Sequence, residues 1–413
     1  MSASAAPASK RSLSLLFVSL RYPPYVAGGY EQLTQELARG LAARGHRVRV
    51  LCGAGQGFED PFVRPWLEPS LEPERDLFAE VYAGGTALAW RRHVRSAHNL
   101  AATRRALSEE RPDVLVAANL GLASLAPLEA AAQRGLPILG LVCDAWPANH
   151  WRREWRARGT KRWRLGLLSA LIDRRLSALG PWPMLVPSEF LRRELLAEGV
   201  AESRLERFSL GVSPGLPKRP PPPRTRGPGE PLELLVPSAS WEGKGAHLAL
   251  AAAARASAAG APLRVIVAGD RPGPYRQRLE QSAAAPELAG RVEFLGQVPQ
   301  AALFERALAC HACLFPTRWG EPFARAPLEA LWLGLALLAS DRGGTPEMIV
   351  DGAEGRILPA DDEDAWSEAL LALAADEPRR LALAAAGQRR ALAEHRPESM
   401  LQAFERRLRL VAG

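Results

Sequence analysis

The feature that most constrains the fold is an alternation of strands and helices that occurs twice along the chain. In the first half, residues 13–20 form an apolar run, a helical pattern starts at Tyr30, and residues 46–52 follow as a second strand. After a proline-rich stretch at 213–231, the same order returns over 232–268. Short apolar strands separated by helices are typical of parallel sheets covered on both faces. The sequence therefore predicts an α/β protein with two parallel-sheet domains in tandem and a cleft between them.

Composition sets the predicted domain bounds, because eight prolines fall between Ser213 and Pro231 and no packed element accommodates them. We predict a disordered lead-in over 1–11, a first domain over 12–212, a proline-rich linker over 213–231, a second domain over 232–395 and a C-terminal helix over 396–413. A return of that last helix to the first domain is left open.

Charge and cysteine content exclude little by themselves. The chain has 53 Lys and Arg against 45 Asp and Glu, a net charge of +8, which permits an anionic substrate, a membrane surface or nucleic acid. Four cysteines in 413 residues are too few for a disulfide framework, so we expect a reducing, cytoplasmic compartment. The apolar run at 13–20 is too short to span a membrane, and no small-residue cleavage site follows it.

Two glutamates, Glu321 and Glu329, follow a predicted strand in the second half. Pro327 suits the first turn of a helix, which places Glu321 in the loop and Glu329 on the helix. The first N–H groups of a helix favour an anion, and a carboxylate can accept hydrogen bonds from the vicinal hydroxyls of a sugar or ribose. In the alternative interpretation, Glu321 favours the helix dipole and Glu329 is a surface residue. Spacing alone does not decide between the two.

The stretch from Phe315 to Ala330 resembles the Glu-x7-Glu signature of glycosyltransferase family 4. Other segments resemble the same family: Gly28-Gly29 with Glu31, Ser188 to Leu191, Lys244-Gly245, and Gly343-Gly344-Thr345-Pro346-Glu347. The resemblance covers about residues 13–400. It implies the GT-B fold, in which two Rossmann-like parallel-sheet domains face a cleft. It also implies a retaining hexosyltransferase that moves a sugar from a nucleotide diphosphate sugar to an acceptor hydroxyl, in polysaccharide or glycolipid assembly.

The resemblance also assigns roles to single residues. In the second domain, Glu329 would bind the ribose hydroxyls of the donor, Glu321 the hydroxyls of the transferred sugar, Lys244 the diphosphate, and the backbone of Pro322, Phe323 and Ala324 the sugar and phosphate. In the first domain, Gly28 and Gly29 would let the backbone approach that phosphate. The implied catalytic residues are Asp144, Lys244 and Glu321.

Two positions depart from the family pattern. Ala239 stands where many members carry an arginine, and Arg318 and Arg325 are candidates for the missing charge. Cys143 precedes Asp144 where many members have histidine, so Asp144 is the remaining candidate for contact with the acceptor or sugar. The missing histidine leaves open an inactive sugar-binding protein of the same fold. A nucleotide-sugar epimerase or hydrolase on this fold is a further alternative.

A basic stretch with three tryptophans, Trp151 to Arg164, is followed by largely apolar residues up to 172. Such a stretch suits an anionic membrane surface at the inner face of the membrane, or a lipid-linked acceptor. The alternative is a solvated helix face with core tryptophans. No recognised nucleic-acid-binding motif accompanies the charge.

No metal or cofactor is expected, since the nucleotide sugar is itself a substrate. The pair Cys310 and Cys313 has no second ligand pair at zinc-site spacing, and the acidic run at 361–364 suits helix capping.

Overall fold

A computed structural model of the protein describes residues 11–26, 28–69, 91, 96–147, 174 and 179–413. The chain divides into two units. Unit 1 comprises Met1–Val186, Arg192–Arg207 and Leu401–Gly413, and unit 2 comprises Pro187–Leu191 and Phe208–Met400. The predicted lead-in up to residue 10 and the tryptophan-rich stretch at 151–172 lie outside the described residues. Among the helices that are described, none is long and apolar enough to cross a membrane.

Unit 1 is built on one parallel sheet. Its described elements are β1 (Ser14–Val18), α1 (Gly29–Ala43), β2 (Arg47–Gly53), β3 (Val63–Leu67), α2 (Ala97–Glu110), β4 (Val114–Ala117), α3 (Ala126–Ala132), β5 (Ile138–Leu141), β6 (Met184–Val186), α4 (Glu189–Ala197, which begins in unit 2) and β7 (Leu205–Arg207). The seven described strands lie in the order β3-β2-β1-β4-β5-β6-β7. All residues of β1 and β4 are buried, as expected for central strands with both faces covered.

Unit 2 repeats this plan. Its elements are β8 (Leu232–Val236), α5 (Ala246–Ala258), β9 (Leu263–Ala268), α6 (Pro274–Ala283), β10 (Val292–Gly296), α7 (Gln300–Leu308), β11 (Ala312–Phe315), α8 (Arg325–Trp332), β12 (Ala336–Ser340), β13 (Arg356–Leu358), α9 (Glu363–Ala375) and α10 (Glu377–Glu394), followed by α11 (Pro397–Ala412). The strand order is β10-β9-β8-β11-β12-β13. The winding direction reverses between β8 and β11, and ligands of such sheets bind beyond the carboxyl ends of the strands at that reversal.

The proline-rich stretch lies within unit 2, where the sequence predicts a linker. Its backbone carbonyls accept hydrogen bonds from buried side chains: Trp332 Nε1 donates to Pro217 at 2.9 Å, and Gln388 Nε2 donates to Pro221 at 2.8 Å. Proline lacks an N–H but keeps its carbonyl, so the stretch can pack on the unit as an acceptor. The long segment of unit 2, Phe208–Met400, includes this stretch.

The end of the chain, from Leu401, belongs to unit 1. The Phe404 ring lies 6.2 Å from the Phe17 ring of β1, between centroids. The Glu405 carboxylate pairs with Arg44 at 2.9 Å and with His46 Nε2 at 3.3 Å. These contacts place the last helix against the β1–α1–β2 part of that unit.

Candidate functional site

Two loops of unit 2 meet at the carboxyl ends of neighbouring strands. Strands β8 and β11 pair in parallel, and the chain leaves both at the same edge of the sheet. The loop after β8 ends in a 3-10 turn, Glu242–Lys244, and the loop after β11 carries Glu321. The backbone N–H of Arg318 donates to the carbonyl of Gly243 at 2.8 Å. This bond joins the two loops at the reversal point of the sheet.

The Lys244 ammonium contacts the Glu321 carboxylate, and the two side chains are 16% and 13% exposed. Gly245 makes this approach possible. It has φ +75°, and a Cβ built on it would lie 1.8 Å from the carbonyl oxygen of Pro316. Any other residue would push the two loops apart. The lysine and the glutamate, 77 positions apart in sequence, are thus brought together by close backbone packing.

The Glu321 backbone is held by the loop that follows β12. The N–H of Gly344 donates to the Glu321 carbonyl at 2.8 Å. A Cβ on Gly343, which has φ +63°, would lie 2.2 Å from that same oxygen, and one on Gly344 would lie 2.2 Å from the carbonyl oxygen of Pro322. The glycine pair thus fits directly against the peptide groups of Glu321 and Pro322, which fixes the course of the loop.

Glu329 lies on α8 and is buried, so the alternative that made it a surface residue is wrong. Its Oε1 accepts hydrogen bonds from the Ser213 hydroxyl at 2.6 Å and from the Ser213 N–H at 3.3 Å. Arg325 Nη2 lies 4.0 Å from the same oxygen. Burial raises the pKa of Glu329, and the charge of Arg325 and the bonds from Ser213 oppose that rise. Glu321 and Glu329 therefore have different partners.

Two tryptophans border the Lys244–Glu321 pair. The Trp319 ring lies 5.4 Å from Lys244 Nζ, and the Trp241 ring lies 6.0 Å from Trp319. Both rings are more than a third exposed. A cation near an aromatic face is attracted to the ring electrons, which helps to orient the lysine.

The segment from Pro322 to Ala324 leads directly into α8, and Ala324 is its N-cap residue with extended backbone. Because the first N–H groups of a helix have no partner inside the helix, an anion is favoured here. Of the two arginines considered for the missing charge, Arg318 donates to Asp361 at 2.9 Å, and Arg325 donates to the Ser213 hydroxyl at 3.0 Å.

The remaining candidate residues belong to unit 1. Gly28 precedes α1, and its N–H donates to Glu31 Oε2 at 2.9 Å. Gly28 and Gly29 are exposed, and a Cβ on Gly28 would meet no atom within 4 Å. Asp144 lies in the turn after β5, where its Oδ1 accepts the N–H of Trp146 at 3.0 Å. The structure thus leaves open space beside the glycine and holds the aspartate within a local turn.

Within the described ranges, no group of three or more His, Cys, Asp or Glu side chains is arranged to hold a metal ion. Cys310 and Cys313 are buried where α7 ends and β11 begins. His311 between them accepts the Glu233 N–H through Nδ1 at 3.0 Å, so it serves the backbone of β8. Asp362 caps α9 by accepting the Ala365 N–H at 3.0 Å, as its acidic run predicts.

Sequence reasoning missed several residues that shape the site. Ser213 donates to Glu329, and Gln300 donates to Ser213. Ser213 lies in a stretch without periodicity, and Gln300 opens an ordinary helix. Glu347 ends the segment Gly343-Gly344-Thr345-Pro346-Glu347, which resembles the family pattern. Its carboxylate accepts the N–H groups of Glu189 and Phe190, both at 2.8 Å, and so caps α4. The acidic residue after Gly343-Gly344 was the signal available for this cap.

Comparison with known proteins links these features to one family. The model described as Glycosyltransferase Family 4 matches residues 27–216, and the model described as Glycosyl transferases group 1 matches residues 223–390. The lipopolysaccharide core biosynthesis mannosyltransferase LpsB of Rhizobium meliloti is 36% identical over 127 residues, which is 30% of this chain and 35% of that enzyme. Glycogen synthase of Mycobacterium tuberculosis is 27% identical over 402 residues, which is 92% of this chain and 89% of that enzyme.

A solved structure shares the fold along nearly the whole length. Alr3699/HepE from Anabaena, in complex with UDP and glucose, superposes with a TM-score of 0.68 at 15% identity, over 96% of this chain and 99% of that one. The predicted fold class, two Rossmann-like parallel-sheet domains of the GT-B type, is confirmed. Since the two models together span most of the sequence, the chain belongs to glycosyltransferase family 4.

Proposed function

We propose that this chain is a retaining glycosyltransferase that moves a hexose from a nucleotide diphosphate sugar to an acceptor hydroxyl, in polysaccharide or glycolipid assembly. The observation that carries the proposal is the contact between Lys244 and Glu321 at the reversal point of the unit 2 sheet. A ligand that has a phosphate close to a hydroxyl can contact the Lys244 ammonium through the phosphate and the Glu321 carboxylate through the hydroxyl. A nucleotide sugar has that arrangement around its anomeric carbon.

Lys244 is proposed to bind the diphosphate. As the bond between the anomeric carbon and the phosphate oxygen breaks, negative charge grows on that oxygen, and a nearby ammonium stabilises it. The acceptor oxygen then bonds to the anomeric carbon on the face that the phosphate leaves, which retains the configuration. The acceptor proton passes to the departing phosphate oxygen, so the step needs no added base. It also needs no resident metal or cofactor.

Glu321 is proposed to accept hydrogen bonds from hydroxyls of the transferred sugar, and Glu329 from the ribose hydroxyls. An ionised carboxylate only accepts hydrogen bonds, and its two oxygens suit a vicinal diol. The backbone from Pro322 to Ala324 would bind the sugar and phosphate at the start of α8.

In unit 1, Asp144 is proposed to contact the acceptor or sugar. Gly28 and Gly29 are proposed to meet the phosphate, and the open space beside Gly28 and the start of the 15-residue helix α1 support this role.

The relatives support the choice of substrates to test. LpsB is named for lipopolysaccharide core biosynthesis, the second relative is a glycogen synthase, and the Anabaena structure holds UDP and glucose. These names favour a UDP-linked hexose as donor and a glycan or lipid-linked glycan as acceptor.

The first experiment is a thermal-shift screen with UDP-, GDP- and ADP-hexoses. A ligand at about 100 times its Kd stabilises the folded protein by roughly 2.7 kcal/mol. The second step measures nucleoside diphosphate release with and without candidate glycans, and the anomeric configuration of the product by NMR. Release should depend on the acceptor, and Glu321→Gln should abolish it. Full consumption of donor without acceptor, or no shift with any of the sugars, would contradict the proposal.

A further inference from the structure

A largely buried polar cluster includes Glu329 and is centred on Ser213. The Glu329 cluster consists of Ser213, Gln300, Arg325 and Glu329. Gln300 Nε2 lies 2.8 Å from the Ser213 hydroxyl oxygen, Arg325 Nη2 lies 3.0 Å from it, and Glu329 Oε1 lies 2.6 Å from it. Ser213 is 1% exposed, so water does not compete for these bonds.

The chemistry of the four groups allows one direction for each hydrogen bond. The nitrogen atoms of Gln300 and Arg325 can only donate, so they occupy the two lone pairs of the Ser213 oxygen. The ionised carboxylate of Glu329 can only accept, so the single hydroxyl proton must go to its Oε1. Rotation of the hydroxyl would therefore break a hydrogen bond, and its proton remains hydrogen-bonded to Glu329.

The two oxygens of Glu329 are unequal as a result. Oε1 receives both the hydroxyl and the N–H of Ser213. Within the described part of the chain, no hydrogen bond is donated to Oε2. Two bonds from one residue to the same oxygen restrict the rotation of the carboxylate, which leaves Oε2 in a fixed position with its acceptor capacity unused.

We propose that Ser213 is a positioning residue that holds Glu329 Oε1 so that Oε2 accepts the ribose hydroxyls of the nucleotide donor. This inference rests on the proposed function, in which Glu329 binds the ribose. Arg325 supports the same arrangement, because its guanidinium lies near enough to favour the ionised carboxylate. Gln300 contributes through Ser213, since its amide donates to that hydroxyl.

The experiment compares UDP with 2′-deoxy-UDP by isothermal titration calorimetry, or the matching GDP or ADP pair if that sugar gives the larger thermal shift. A hydrogen bond to a charged group contributes about 1.5–3 kcal/mol, so the wild-type protein should prefer the ribonucleotide by roughly 10- to 100-fold. In Ser213→Ala we expect this preference to fall below about threefold, because only the longer bond from the backbone N–H of residue 213 then restrains the carboxylate. Ser213→Thr, which keeps the hydroxyl, should retain the preference.

Two further variants separate the possible failures. Ser213→Cys nearly keeps the side-chain volume, but its thiol is a weak hydrogen-bond donor, so it should lose the preference for the ribonucleotide. This variant replaces Ser213→Ala if the alanine variant does not fold. Glu329→Gln tests the ribose assignment itself. If Glu329→Gln abolishes the preference and Ser213→Ala weakens both nucleotides equally, the positioning role is wrong and the proposed function stands. If Glu329→Gln leaves the preference intact, or no nucleoside diphosphate binds the wild type, the ribose assignment is wrong and this inference fails with it.

Discussion

The loop that carries Glu321 and the helix that carries Glu329 are adjacent in sequence but hold their carboxylates in different ways. Glu321 contacts the ammonium of Lys244 and remains partly exposed. Glu329 is more deeply buried, with a serine hydroxyl on one oxygen and an arginine at 4.0 Å. The first arrangement suits a ligand that carries charge and hydroxyls together, and the second suits a neutral diol. We therefore expect substitutions at the Lys244–Glu321 pair to affect catalysis and substitutions of Glu329 to affect nucleotide binding.

The largest effect is expected at the Lys244–Glu321 pair. Lys244→Ala removes the charge proposed to stabilise the leaving diphosphate, and kcat/KM for transfer should fall about 10²- to 10³-fold. The variant also leaves Glu321 without its cation, which should lower the free energy of unfolding by about 1–3 kcal/mol.

The matched control is the double variant Lys244→Met with Glu321→Gln. It removes both charges, so stability measured by urea unfolding should return toward the wild-type value while activity stays lost. Transfer within tenfold of wild type in Lys244→Ala would contradict the role of this lysine.

A smaller effect with a different signature is expected at Glu329. Glu329→Gln should weaken nucleoside diphosphate binding about 10- to 100-fold, because the amide replaces an ionised acceptor. Its melting temperature should stay at or above that of the wild type. Burial raises the pKa of Glu329, so its ionised form is unfavourable in the fold and the amide relieves that cost. Clear destabilisation together with unchanged nucleotide binding would show that the glutamate is structural.

A several-fold loss of transfer activity is expected when a substitution in the loop after β12 displaces the loop that carries Glu321. Gly343→Ala puts a Cβ 2.2 Å from the Glu321 carbonyl oxygen at positive φ, and should cost about 1–3 kcal/mol in stability. Gly352→Ala is the matched control, because Gly352 has φ +72° but a Cβ there meets no atom within 4 Å. Activity assays should show a larger loss for Gly343→Ala, with nucleoside diphosphate binding retained in both. Equal losses would mean that backbone strain alone is responsible.

The smallest effect concerns pH. Since the pKa of Glu329 is raised in the folded state, wild type loses stability relative to Glu329→Gln as pH rises from about 4.3, the ordinary value, through the raised pKa. Over the same window, wild-type affinity for nucleoside diphosphate should increase, because the ionised carboxylate is the acceptor. As pH rises across this range, thermal unfolding should therefore show falling stability relative to Glu329→Gln, and calorimetry should show rising affinity for the nucleoside diphosphate. Parallel changes would contradict the assigned role.

The fold was predictable where local signals were strong. Strands β8 and β9 begin after Pro231 and Pro262, and each is apolar except for one charged residue at its second position. The structure places both strands at the predicted positions. Strand β3 contains Pro65, and strand β7 is three residues long with two charged positions. Neither strand therefore shows the pattern of apolar residues that predicts a strand. Such strands at the edge of a sheet are determined by the neighbour with which they pair.

The site was predictable in part for the same reason. Pro327 and the spacing of the glutamates predicted that Glu321 lies in a loop and Glu329 on a helix, as observed. The contact between Ser213 and Glu329 joins positions 116 residues apart, and Ser213 stood at the start of a predicted linker. No local sequence pattern predicts such a contact, because the contact depends on how the proline-rich stretch packs on the rest of unit 2.

We propose that the carboxylates of Glu321 and Glu329 bind different parts of one ligand. The most direct test is calorimetric titration of Glu321→Gln and Glu329→Gln with a nucleotide sugar and with its nucleoside diphosphate. We predict that Glu329→Gln weakens both ligands by the same factor, whereas Glu321→Gln weakens only the nucleotide sugar. Equal weakening of both ligands by Glu321→Gln, or undiminished binding of the nucleoside diphosphate by Glu329→Gln, would contradict this account.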